Sequence, residues 1–343
     1  MSYISFQPSD HFITHVYSGN GSTNNQTSLG MTPDLVWVKS NNTGSPTQHY
    51  IVDKVRGDKK YISSNATTAE QTDSNTFDLV SGGFNLAGGN GWTNLTGRTY
   101  ASWNWKAGGG QGSSNTDGSI NTTYTSANTT SGFSISTYTG TGSDGTIGHG
   151  LGVAPKFVMV KSLSATTYWM CYHAALGNNK EFYLNATNAA STSITWNTTT
   201  PTSSVISLDS AGGSGVNVSG QTYVCYAFAE KKGFSKFGSY TGNGSTDGVF
   251  LYTGFKPAFV IIKSQGSGTH WRLLDNKRDT FNPSTKQLFS NNNAAEATDA
   301  NYAIDFCSNG FKHRNTNSDL NQNAVNYIYM AFAEAPLVGS NNI

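Results

Sequence analysis

Three hundred and forty-three residues allow two or three domains. Charged residues reach only 12%, aromatics also reach 12%, and there are 38 Gly and 35 Asn; this excludes a disordered chain, which is charged and aromatic-poor, and argues against a helical one, rich in Ala, Leu, Glu, Lys and Arg. The 21 basic and 20 acidic residues leave a net charge of +1, so no electrostatic footprint for nucleic acid or an anionic membrane follows.

In chain order, Met1–Asp10 (MSYISFQPSD) has neither a basic n-region nor an apolar h-region, so no secretory signal is read there. Residues 1–11 are expected as an N-terminal arm. Residues 12–107 read as a first unit of short strands, with Thr, Tyr, Val, Phe and Trp between Gly and Asn turns. Its markers are Tyr17-Ser-Gly-Asn-Gly21, LGMTPDLVWVKS from Leu29 to Ser40, and GRTYASWNWKA. In the last block Trp103 and Trp105 share one face of a strand, which points them to the core. The stretch 108–131 (GGGQGSSNTDGSINTTYTSANTTS) has almost no apolar residue and predicts a linker or extended arm.

Residues 132–232 repeat the pattern with Tyr138-Thr-Gly-Thr-Gly142, LGVAPKFVMVKS from Leu151, and GQTYVCYAFAE. Phe133–Tyr138 alternates apolar and polar, as a half-buried strand does. Lys156–Val160 is a denser apolar run and predicts a strand buried on both faces. Trp169–Tyr172 and Glu181–Leu184 predict two more. After Lys231-Lys232-Gly233, residues 233–343 repeat it again with Tyr240-Thr-Gly-Asn-Gly244, TGFKPAFVIIKS from Thr253, and NAVNYIYMAFAE. Six positions stand out in register: Pro33, Pro155 and Pro257, and Lys39, Lys161 and Lys263. The spacing is 122 residues from Pro33 to Pro155 and 102 from Pro155 to Pro257. The difference falls in 108–131. A unit of about a hundred residues is long enough to bury its own core. The prediction is therefore all-β, with three tandem β-sandwich repeats of jelly-roll or immunoglobulin-like kind.

Candidate chemistry is sparse. The repeated lysine follows a buried strand, and a catalytic lysine would need burial or a cationic neighbour. The structural alternative is a stem over apolar surface with its ammonium in water or on a carboxylate. Asp53 with Arg56, and Asp275 with Arg278, recur as salt-bridge candidates, while the second unit has His173 and Leu176 there. The seven His form no zinc spacing, and no nucleophile elbow, phosphate loop or paired-carboxylate motif occurs. No catalytic residue, metal or cofactor is expected. The Asp-Gly pairs at Asp117, Asp144 and Asp247 read as turns. Cys171, Cys225 and Cys307 read as buried reduced thiols, with a Cys171–Cys225 disulfide as the alternative. Asn-x-Ser/Thr triplets such as Asn65, Asn185 and Asn243 are expected without glycan. No run approaches about 18 apolar residues, so no membrane insertion is expected. Aromatics among amides and hydroxyls suit sugar contact, and Trp92, Tyr168 and Trp196 are the candidates for a host surface glycan.

At PDLVWVKS, GFSISTYTGTG, APKFVMVKS and YVCYAFAE, from about Phe12 to Val338, the chain resembles a family of repeat proteins encoded by tailed bacteriophages, many from marine hosts. The resemblance implies a virion component of fibre or decoration type, without known catalytic residues. The missing Asp…Arg pair in the second unit departs from the pattern. The expectation is a non-enzymatic virion surface protein, on capsid or tail, made in the host bacterial cytoplasm. It would contact other virion proteins, as a pseudo-threefold monomer or a homotrimer. The alternative is a tail-associated carbohydrate-binding adhesin for host recognition. The arms 1–10 and 108–131 are the expected contacts with neighbours.

Overall fold

The computed structural model describes residues 6–42, 46–210, 215–266 and 268–335. It is all-β. Among the described residues helix is confined to two single 3-10 turns, Pro8–Asp10 and Ala300–Tyr302. The strands pair antiparallel, and one order recurs in three segments of the chain. In the first, the opening strand Phe12–Ser18 pairs with the closing strand Thr99–Trp105. That strand pairs with the central strand Leu35–Ser40, and this with Tyr50–Asp53. The second segment repeats the order with Phe133–Thr139, Thr222–Phe228, Phe157–Ser162 and Met170–His173. The third repeats it with Ser235–Thr241, Asn326–Phe332, Phe259–Ser264 and Arg272–Asp275. Each proline lies two residues before its central strand, where its missing N–H costs no ladder bond.

The central strands show why the apolar runs are so dense. Successive side chains leave a strand on opposite faces. Leu35, Trp37, Phe157, Met159, Phe259 and Ile261 all enter one apolar cluster shared by the three segments. Their alternates face outward into three separate clusters. Val36 and Val38 meet Phe77 and Phe84 of a smaller sheet. Val158 and Val160 meet Ile147 and Ile206. Val260 and Ile262 meet Phe306 and Phe311. Each large sheet is thus covered on both faces, and all three central strands are buried throughout. At one end of the shared core Trp105, Phe228 and Phe332, one from each closing strand, form a triangle with ring centroids 5.6–6.2 Å apart.

The Tyr-x-Gly-x-Gly blocks now have a mechanism. A side chain at Gly19, Gly140 or Gly242 would strike the backbone carbonyl of residue 95, 218 or 322. Gly21, Gly142 and Gly244 sit at φ of 71°, 73° and 63°, a region that glycine enters without strain.

Three expectations change. The stretch 108–131, read as a linker, carries the strand Tyr124–Asn128, which adds an edge to the second large sheet. Ile120 is buried in the second segment's own core. The polar remainder is held by hydroxyl contacts, with Thr125 Oγ1 2.8 Å from Thr122 Oγ1 and 2.9 Å from Ser136 Oγ. That cover makes Phe133–Tyr138 buried along its length rather than half-buried. Part of the N-terminal arm also packs on its own chain. Phe6 stacks on His11 at 4.7 Å and meets Phe234 edge-on at 5.2 Å; residues 1–5 lie outside the described residues. The three cysteines are free. Cys171 faces the shared core and Cys225 the second segment's own core, so the sheet itself separates the two sulfurs.

Candidate functional site

Polar groups around the shared core close two rings of contact between segments. In the first ring, Trp169 Nε1 donates to Ser63 O at 2.9 Å and Trp271 Nε1 donates to Tyr183 O at 3.0 Å. The equivalent residue in the first segment is His49. Its Nδ1 accepts from Trp37 Nε1 at 2.8 Å, which leaves Nε2 to donate to Phe289 O at 2.6 Å. The second segment thus leans on the first, the third on the second, and the first on the third.

The Asp…Arg pairs sit on the second ring. Arg56 Nε meets Asp53 Oδ2 at 2.5 Å and Arg278 Nε meets Asp275 Oδ2 at 2.6 Å, all side chains buried. Each aspartate also takes a bond from another segment. Tyr226 OH donates to Asp53 Oδ2 at 2.6 Å, and Trp103 Nε1 to Asp275 Oδ2 at 3.2 Å. The position matching Tyr226 and Trp103 in the third segment is Met330, which has no N–H or O–H to give. It is opposite this residue that the second segment abandons the ion pair. His173 keeps one of aspartate's tasks, because Nδ1 accepts from the turn N–H of Ala175 at 3.1 Å. Its Nε2 is 3.3 Å from Tyr329 O. Burial lowers its pKa to about 4, so the ring stays neutral. Leu176 packs against the shared core in place of the arginine.

The repeated lysines are fully buried, at 0% exposure. Their ammonium groups do not reach water, and among the described residues none pairs with a carboxylate. They lie at strand ends under a loop of the neighbouring segment and donate both to oxygens of their own segment and to a carbonyl of that loop. Lys39 Nζ is 3.0 Å from Thr47 Oγ1 and 3.4 Å from Asn293 O. Lys161 Nζ is 3.1 Å from Thr67 O. Lys263 Nζ is 2.8 Å from Thr269 Oγ1 and 3.5 Å from Thr187 O. Burial is the largest cause that lowers their pKa values, to about 7 for Lys39 and about 8 for the other two. Arg98 and Arg278 lower Lys39 further. A lowered pKa brings an amine closer to the neutral form a nucleophile needs, but each is sealed beneath backbone.

The loops that cap these lysines meet at the end of the shared core away from the aromatic triangle. They enclose an open depression of about 560 Å³. Asn65, Asn185 and Asn291 occupy matching positions there. Each Oδ1 accepts the backbone N–H of His49, Trp169 or Trp271, at 2.9–3.0 Å. Tyr168 and His270 also line the depression. The recurrence of Asn at these three positions, 16 or 20 residues after the His and Trp positions, was the available sequence signal for this site.

The three aromatic candidates separate. Tyr168 is 50% exposed and lines the depression. Trp92 is half-buried against the first segment's own core, edge-on to Tyr61. Trp196 is buried at 0% exposure in the second segment's core, so it is not available to a glycan. Its neighbours Thr195 and Asn197 read as surface, but the turn drives the indole under Tyr172. Trp196→Ala should cost about 3–5 kcal/mol of stability by urea melting, while Tyr168→Ala should change it by less than about 0.5 kcal/mol.

Among the described residues no cluster of His, Cys, Asp or Glu is placed to hold a metal ion, and no helix is long and apolar enough to cross a membrane. No curated protein and no solved structure matches the chain. A family model described as a domain of unknown function (DUF7483) matches residues 7–336, and the chain belongs to that family.

Proposed function

We propose that the chain is a non-enzymatic structural protein of a bacteriophage particle, displayed on its surface as capsid decoration, head fibre or tail fibre. In this reading it is three tandem β-sandwich repeats closed into one block that imitates a trimer. One observation carries it: three sheets of one strand order lay a face each on a single core, and each passes the same kind of contact to the next. Such a block has the symmetry that a threefold or quasi-threefold position on a particle requires. The virion setting rests on the resemblance of the repeated blocks. The low charge fits a surface that meets neighbours by shape and hydrogen bonds.

Labelled antibodies on purified particles, with stoichiometry against the major capsid subunit, test this. The expected result is labelling at regular surface positions and a simple integer ratio. Absence from washed particles would overturn it. A second reading, a carbohydrate-binding adhesin on the tail, is favoured by one feature, the exposed Tyr168 ring in the depression.

A further inference from the structure

We propose that the depression at the end of the shared core is a binding site for the terminal sugars of a neutral oligosaccharide, with Tyr168 as the stacking face. The inference deepens the adhesin reading and does not require the virion location. Its volume of about 560 Å³ lies within the range of small-ligand sites. Three loops build it, one from each segment.

The first argument is chemical. The lining is amide, hydroxyl, imidazole and one phenol ring, with no carboxylate, lysine or arginine. A sugar offers hydroxyls that both donate and accept, and such a lining answers both. The second argument is from unused capacity. Oδ1 of Asn185 is fixed by Trp169 N–H at 2.9 Å, so its amide plane is set, while its Nδ2 has no protein acceptor among the described residues. The hydroxyls of Thr67, Thr68 and Thr187 likewise have no protein partner among the described residues, though the Thr67 and Thr187 carbonyls are engaged by lysines. Asn185, Thr67 and Thr187 are held in place by bonds made elsewhere, so binding to them would cost little ordering entropy.

The third argument is the pattern within the repeat. Position by position, the scaffold is kept and the rim is varied. Asn65, Asn185 and Asn291 keep the amide. The residue before His49, Trp169 and Trp271 is Gln48, Tyr168 and His270 in turn; Tyr168 and His270 line the depression and Gln48 does not. Only Tyr168 offers an exposed aromatic face there; it rests on Tyr183 with centroids 4.7 Å apart, which fixes the ring's tilt. His270 is held by Asn291 Nδ2 at 3.0 Å from its Nδ1, which leaves Nε2 as a donor.

The test uses the full chain on an array of neutral and acidic bacterial surface oligosaccharides, followed by titration calorimetry with the best neutral hexose or N-acetylhexosamine trisaccharide. The expected result is binding to neutral glycans, weakened at least tenfold by Tyr168→Ala and by Asn185→Ala. Tyr168→Phe should retain most of it, because stacking needs the ring and not its hydroxyl. An unchanged melting temperature in Tyr168→Ala separates lost binding from lost fold. Silence across the array, binding to acidic glycans alone, or binding that Tyr168→Ala leaves intact would overturn the site. Finding the protein on the capsid, away from the tail, would overturn the adhesin reading but not the site.

Discussion

Asp53→His alone should destabilise the protein by about 3–5 kcal/mol in urea melts. It leaves Arg56 buried without its nearest carboxylate and leaves Tyr226 OH without its acceptor. Adding Arg56→Leu removes the stranded cation. Adding Tyr226→Met removes the stranded donor and installs the combination found between His173, Leu176 and Met330. The triple variant should then lie within about 1–2 kcal/mol of the native protein, since replacing a whole buried polar group by packed apolar atoms is often near neutral. If the three changes simply add, the coupling between segments described here is wrong. Asp275→Ala should behave as the harsher single change. Both aspartates hold two turn N–H groups, Asp53 those of Val55 and Arg56 and Asp275 those of Lys277 and Arg278, and alanine, unlike histidine, keeps no acceptor for either. Glu296, 2.9 Å from Arg278 Nη1, limits the loss.

Stability should rise between pH 7 and pH 9, which is unusual for a protein of near-zero net charge. The cause is the three buried lysines. Unfolded, each holds its proton until about pH 10.4. Folded, burial lowers the pKa of Lys39 to about 7 and those of Lys161 and Lys263 to about 8. Across that window the unfolded state binds more protons, so the free energy of unfolding increases with pH. One pKa unit is about 1.4 kcal/mol, so the three together should give a gain of a few kcal/mol, reduced in the same window by Cys171 and Cys225, whose thiols are raised by burial while the unfolded thiols ionise at about pH 8.5. Above pH 10 the buried phenols of Tyr17, Tyr138 and Tyr240, raised by burial, act against it, because the unfolded tyrosines ionise first. Below pH 6.5 buried His173 and His313, lowered to about 4 and about 3, refuse protons that the unfolded chain accepts, and stability falls. Urea melts at pH 7, 8 and 9 measure the rise, and Lys161→Met should flatten it by about a third. Equal stability at all three pH values would refute the assignment.

The recurring sequence blocks are legible because their constraints are local. Gly21 must take a positive φ, Gly19 must clear a carbonyl, and Pro33 must stand outside a ladder, so these residue types recur at matching positions of the three segments. The all-β class was legible for the same reason. What the spacing hides is which face meets which neighbour. Leu35 and Val36 look alike in the sequence, yet one serves the shared core and the other its own segment. The stretch 108–131 looked unstructured because its fold relies on Thr and Ser hydroxyl contacts and one Ile, not on an apolar run. The lysines were noticed for their register, but carbonyls of a neighbouring segment, 94 residues away for Lys161, cannot be read from spacing. Trp196 was misplaced because its polar neighbours masked a buried indole.

One chain supplies all three partners of the ring, and the first and third segments meet without a covalent join, through Phe12 against Phe332 at 5.3 Å. An assembly of separate subunits would come apart on dilution. Here every joint is intramolecular, at an effective concentration on the order of millimolar, so the block persists however scarce it is. A true trimer must also repeat every residue three times. This chain is free of that rule, and it can place a glutamine, a tyrosine and a histidine at one symmetric position. The three like loops around the depression thereby carry unlike side chains beside them.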